Sequence, residues 1–162
     1  MKVSNKELLD VSVNTEREAQ AFYEELASHI SDPMIRNYLL LMAKDEAHHE
    51  NQFASLLEGK EGQKYGWENS LALREIIDKH LKPGLFPSLG GILINLSKFK
   101  GVQKALIIAQ NCEELAVKFY GTLRENCEDV ETKAILITLE SEEKSHCDYI
   151  QTVINYWEKQ SS

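Results

Sequence analysis

"KDEAHHE", residues 44–50, breaks into an apolar stripe, and its reading decides the fold. Ahead of it Ile35, Leu39 and Met42 recur at three- and four-residue steps, and behind it Phe53 and Leu56 resume them. That spacing marks one face of an α-helix. The two intervening steps fall on Glu46 and His49. A carboxylate and an imidazole on a buried seam are costly unless they are paired, protonated or metal-bound.

The same interruption recurs. When the sequence is shifted by 97 residues, Leu9 meets Leu106, Asn14 meets Asn111, Glu16 meets Glu113, Ala19 meets Ala116, and Phe22-Tyr23 meets Phe119-Tyr120. Further along, Leu26 meets Leu123, Asp32 meets Asp129, Leu39 meets Leu136, Glu46 meets Glu143 and His49 meets His146. The repeat therefore includes polar seam residues as well as apolar ones. Repeated helical hairpins imply two-fold pseudosymmetry.

Helix signals frame each repeat. Ser4 and Glu7 read as a capping box opening a helix that runs to about His29. Asp32 and Pro33 open a second, which Gly59 closes. A third is expected over about 102–126 after Gly101, and a fourth over about 130–159 after Asp129. The expected fold is all-α: a single domain over 1–162, with hairpins at about 4–58 and 102–159 forming a four-helix bundle. The connection over about 60–100 is too long for a structureless loop and is expected to hold a short helix at "SLALREIIDKH", 70–80.

Composition narrows the function. The chain has 162 residues, 43% of them apolar and 27% charged, with a net charge of −8. That balance disfavours nucleic acid or an anionic membrane surface as partner. Cys112, Cys127 and Cys147 contain no C-x-x-C pair, which argues against a disulfide framework or a zinc ribbon. Reduced thiols and the lack of an apolar leader in "MKVSNKELLD" fit a cytoplasmic protein. The apolar stretch "GLFPSLGGILINL", 84–96, is too short to span a bilayer.

The seams place four carboxylates, Glu16, Glu46, Glu113 and Glu143, and two imidazoles, His49 and His146, at matching depth. A single E-x-x-H pair on a helix means little. Six ligand-type residues related by one offset are a different matter. Two divalent cations would balance the four carboxylates, and neutral imidazoles would complete a mixed oxygen and nitrogen site. Iron, manganese and zinc all accept such ligands.

Tyr23 and Tyr120 each follow a seam glutamate by seven residues. Each is either a large core residue or a phenol hydrogen-bonded to a ligand carboxylate. Asp45 and Glu142 precede the E-x-x-H glutamates; they either orient the imidazole of the opposite repeat or lie on the surface. His48, His29 and His80 read as surface groups, and Cys112 and Cys147 as small residues flanking the core.

"EREAQAFYEELA" (16–27), "KDEAHHE" and "SEEKSHC" (141–147) together resemble the rubrerythrin family of the ferritin-like superfamily. The resemblance covers both hairpins. It implies a ferritin-like bundle in which Glu46 and Glu143 bridge two metals, Glu16 and His49 complete one shell, and Glu113 and His146 complete the other. It also implies two iron ions and a reaction with hydrogen peroxide or dioxygen, hence a di-iron oxidoreductase of the oxidative-stress type.

Two features depart from full-length members. The chain has no rubredoxin-type cysteine pairs, so electrons would come from a separate rubredoxin-like donor or from Fe(II) itself. Peroxidase-type members carry an extra ligand glutamate three residues after the first on the third helix, where this chain has Ala116. An iron-binding or ferroxidase-type module, or a metal-binding bundle without turnover, is the alternative. A homodimer is expected, in which the long connection would allow hairpins to be exchanged between chains.

Overall fold

The computed structural model describes residues 1–160. It is all-helical. Four long helices, α1 (Asn5–Ser28), α2 (Pro33–Leu57), α5 (Lys98–Asn126) and α6 (Val130–Lys159), form the bundle. Two short ones, α3 (Leu71–Ile76) and α4 (Gly90–Asn95), lie in the connection. α1 packs along α2 and α5 along α6 far more extensively than any other pair, so the architecture is two hairpins laid together.

The caps explain where the helices begin. Asp32 accepts from the amides of Met34 (2.9 Å) and Ile35 (3.3 Å), and Asp129 from that of Thr132 (2.9 Å). Ser4 Oγ accepts from the Glu7 amide at 3.1 Å. The Glu7 carboxylate is engaged by Arg74 and Lys82, so a tertiary ion pair takes the group expected to complete the capping box.

The connection departs most from expectation. α5 begins at Lys98, four residues earlier than read, with Ser97 as its cap. Gly101 is therefore inside a helix and not at its edge. A Cβ there would sit 3.4 Å from the Ile92 carbonyl oxygen, so the glycine admits α4 against α5. α4 itself was not foreseen. The expected helix at 70–80 ends in a π-helical turn, Ile77–Leu81, closed by the Lys82 amide donating to the Ile77 carbonyl at 2.9 Å. Trp67 and Tyr65, which no periodicity singles out, are fully buried and stacked with centroids 4.6 Å apart.

The core has two parts. One contains Phe22, Leu39, Leu106 and Ile150. The other contains Leu8, Phe53, Leu123 and Leu136, together with Trp67 and Ile77 of the connection. The E-x-x-H segments lie between them along α2 and α6. Among the described residues, no helix is long and apolar enough to cross a membrane.

Candidate metal centre

All six seam residues of ligand type meet in the middle of the bundle, and none is more than 4% exposed. Each arrives from one helix: Glu16 from α1, Glu46 and His49 from α2, Glu113 from α5, Glu143 and His146 from α6. The three-residue step puts Glu and His on one face of α2 and of α6. The packing of the hairpins turns those faces inward.

The six form two overlapping groups. Ligand atoms of Glu16, Glu46, His49 and Glu143 all lie within 4.8 Å of one another, and so do those of Glu46, Glu113, Glu143 and His146. Glu46 and Glu143 belong to both. His49 Nδ1 lies 3.2 Å from Glu46 Oε2, 2.7 Å from Glu143 Oε1 and 4.0 Å from Glu16 Oε2. His146 Nδ1 lies 2.8 Å from Glu46 Oε1, 3.4 Å from Glu143 Oε2 and 3.7 Å from Glu113 Oε1.

Close approach here is not mutual satisfaction. Glu46 Oε1, both Glu143 oxygens and His146 Nδ1 are buried without a hydrogen-bond partner of acceptable geometry. Buried polar atoms are normally satisfied. Unsatisfied oxygens and a ring nitrogen converging on shared points are the donor set that divalent cations fill. The residues fit a pair of metal ions.

The electrostatics agree. Burial and the Glu46 charge push the Glu16 carboxyl well above the ordinary range. Burial and the Glu143 charge push that of Glu113 to about 8. Burial also opposes ionisation at Glu46 and Glu143, but the neighbouring glutamate and both imidazoles close beside them outweigh it and hold these two low. Burial disfavours charge on His49 too, yet Glu143 and Glu46 raise it to about 11, and His146 is raised likewise by Glu113, Glu143 and Glu46. The metal-free cluster thus offsets its negative charge with protons.

The surrounding contacts cross between repeats. Tyr120 donates to Glu16 Oε1 at 2.5 Å, and Tyr23 donates to Glu113 Oε1. Glu142 Oε2 lies 2.5 Å from His49 Nε2, and Asp45 Oδ2 lies 3.1 Å from His146 Nε2. Both ring Nδ1 atoms therefore face the carboxylates, while both Nε2 atoms meet an outer carboxylate. His48 and His29 are exposed and His80 is half-buried. Ala116 is half-buried, whereas its repeat mate Ala19 is buried.

Sequence reasoning passed over Glu18, on the flank of α1. Its Oε2 accepts from the amides of Leu85 (3.0 Å) and Phe86 (3.2 Å) in the connection. Nothing local in the sequence pairs residues so far apart.

The rubrerythrin family model matches residues 7–154. Among solved structures, a hypothetical protein from Pyrococcus furiosus is similar at 22% identity and a TM-score of 0.69, over 98% of this chain and 92% of that one. A Thermotoga maritima protein described as ferritin-like and of the diiron-carboxylate kind is similar at 17% identity and a TM-score of 0.65, over 96% and 97%. At these identities the likeness is one of fold. No curated protein matches the chain.

Proposed function

The chain belongs to the rubrerythrin family, and on that premise we propose that it is a di-iron carboxylate oxidoreductase acting on hydrogen peroxide or dioxygen. One observation carries the reading: Glu46 and Glu143 each approach both imidazoles, and Glu46 Oε1 and both Glu143 oxygens are left without a hydrogen bond.

Glu46 and Glu143 would bridge the two ions. Glu16 and His49 would hold one, and Glu113 and His146 the other. Two iron ions there would supply the two electrons that reduction of a peroxide requires, passing from Fe(II) to Fe(III). The protein's own part is placement and protons. Tyr23 and Tyr120 anchor the terminal carboxylates and stay protonated, because burial and the carboxylate charges push both phenols well above their usual range. Asp45 and Glu142 hold the imidazoles so that Nδ1 points inward. The protons resident on the imidazoles and on Glu113 must leave as metal arrives, so binding releases acid. The paired hairpins keep bulk water out.

Ala116 favours a second reading, since the extra ligand glutamate of the peroxidase-type members has no counterpart there. In that reading the centre oxidises or buffers Fe(II), with no external electron donor.

The decisive measurement is metal content of protein purified without added metal, beside Glu46→Ala/Glu143→Ala. About two iron ions per wild-type chain, lost in the variant, is the expected result. Absence of bound metal, no Fe(II) uptake and unchanged stability of the variant would sink the reading. Repeated turnover with peroxide and a reductant separates the first function from the second, which predicts iron loading well beyond two per chain.

A further inference from the structure

The four sides of the centre are closed in different ways. Two are the packed interfaces within the hairpins, α1 on α2 and α5 on α6. A third, between α2 and α6, is spanned by the contacts of His49 with Glu142 and of His146 with Asp45. On the fourth side the backbones of α1 and α5 stand apart, the tyrosine–glutamate hydrogen bonds of Tyr23 and Tyr120 reach across between them, and a non-helical strap, Gly84–Phe86, lies against both helices.

The strap crosses at the depth of the carboxylates. On the α1 side it is held by Glu18, two residues from Glu16, through the amides of Leu85 and Phe86. On the α5 side the Leu85 carbonyl accepts from Cys112 Sγ at 3.3 Å, one residue from Glu113. The Phe86 ring lies over Phe22 and Tyr23, with centroids 5.3 Å and 5.8 Å away. Behind it the Tyr23 hydroxyl meets Glu113. Thus a half-buried aromatic ring packs on the tyrosine that reaches the cluster from this side.

Releasing the strap is far easier than parting the hairpins. It breaks two hydrogen bonds from backbone amides to one carboxylate and one weak thiol contact, and it unpacks the half-buried Leu85 and Phe86 side chains. Parting hairpins would expose a whole core, so local opening here is the low-energy route. Gly84, at φ +98°, can swing where a side-chain-bearing residue would be strained. Pro83 and Pro87 stiffen the flanks and confine motion to the three residues between them.

We propose that Gly84–Phe86 is a gate over the metal centre, that Glu18 is its latch, and that Phe86 is the specificity-determining residue that admits small oxidants and retards bulky ones. The identity of what passes rests on the function proposed above; the gate does not.

Cys112 reports the gate without metal. It is 4% exposed and lies beneath the strap. In metal-free protein carrying Cys127→Ala and Cys147→Ala, alkylation of Cys112 by iodoacetamide should be about tenfold or more faster in Glu18→Ala than in the parent, with Glu18→Gln intermediate. The rate should hardly respond to dilute urea, as befits local opening. Equal rates in Glu18→Ala and parent, or rates that climb with urea as steeply as global unfolding does, would overturn the gate. Phe86→Ala should speed labelling by a bulky fluorescein maleimide more than by iodoacetamide. Equal acceleration would overturn the selecting role of Phe86. In iron-loaded protein the same variant should raise the rate with cumene hydroperoxide relative to hydrogen peroxide. If Cys112 labelling responds as expected while no peroxide reacts, the gate stands and the oxidant assignment falls.

Discussion

The rings of His49 and His146 face each other with centroids 5.6 Å apart and planes 28° from parallel, each from an equivalent position of its own repeat. Their Nδ1 atoms share the same two carboxylates, Glu46 and Glu143. Each imidazole is steadied at its other nitrogen by the opposite repeat.

The tyrosines lend themselves to a direct test. Tyr23→Phe and Tyr120→Phe each delete a phenol donor to a buried carboxylate and leave the ring packing in place. Each should cost the metal-free chain about 1–3 kcal/mol in urea unfolding. Each should also weaken Fe(II) binding by roughly tenfold or more, read by competition with a chelator. Unchanged affinity would make both rings mere core.

The pH dependence of the metal-free chain follows from the cluster. Glu113 titrates near 8 in the fold against an ordinary 4.5, so the folded chain binds more protons across that window. Stability must therefore fall as pH rises from about 4.5 to about 8. His49, raised from 6.5 to about 11, adds stability that is full below about 6.5 and is lost as pH rises towards 11. The melting temperature of metal-free protein should drop over this range, with a shallower drop in Glu113→Gln. A flat or rising profile would contradict the protonated cluster.

Arg74 fastens the connection to α1. Its guanidinium binds both Glu7 oxygens (2.8 and 2.6 Å) and both Asp78 oxygens (2.9 and 2.6 Å). The Arg74 hydrogen bond is the chief reason the Glu7 carboxyl falls from 4.5 to about 2. That contribution is complete above about pH 4.5 and disappears as pH falls through 2. Arg74→Met should lose about 1–3 kcal/mol at neutral pH. It should also lose less further stability than wild type between about pH 4.5 and 2, checked by urea unfolding at each pH.

Two glycines in the connection should behave oppositely. Gly66 sits at φ +108°, and a Cβ there would lie 2.4 Å from the Asn126 carbonyl oxygen. Gly66→Ala should cost about 2–4 kcal/mol, because backbone must move. Gly62 has no such φ and nothing within 4 Å of the same position, so Gly62→Ala should be neutral or slightly stabilising. Paired thermal melts check both.

What was legible in the sequence and what was not divide along physical lines. α2 and α6 were readable because periodicity, caps and the repeat agreed at Asp32, Pro33 and Asp129. The position of the six ligand-type residues followed from their place on the same stripes. The start of α5 was misread at Gly101, because a glycine that makes room for another helix looks like one that ends a helix. The repeat pairs Leu9 with Leu106, yet Leu106 is fully buried and Leu9 only half-buried, while Leu8 is fully buried in the core shared with the connection. Trp67, Glu18 and the strap were invisible for a common reason. Their partners, Asn5, Leu85 and Phe86, are distant in sequence and carry no periodic mark.

The crossing of contacts between repeats also has a consequence for biosynthesis. On the proposed ligand set, each ion needs carboxylates from both halves, so a ribosome-bound chain that has released only α1 and α2 offers Glu16, Glu46 and His49 without Glu143. One position is incomplete until residue 143 has emerged, and the other until residue 146. Capture of a redox-active ion thus awaits the second hairpin, and a product truncated before it cannot hold the pair.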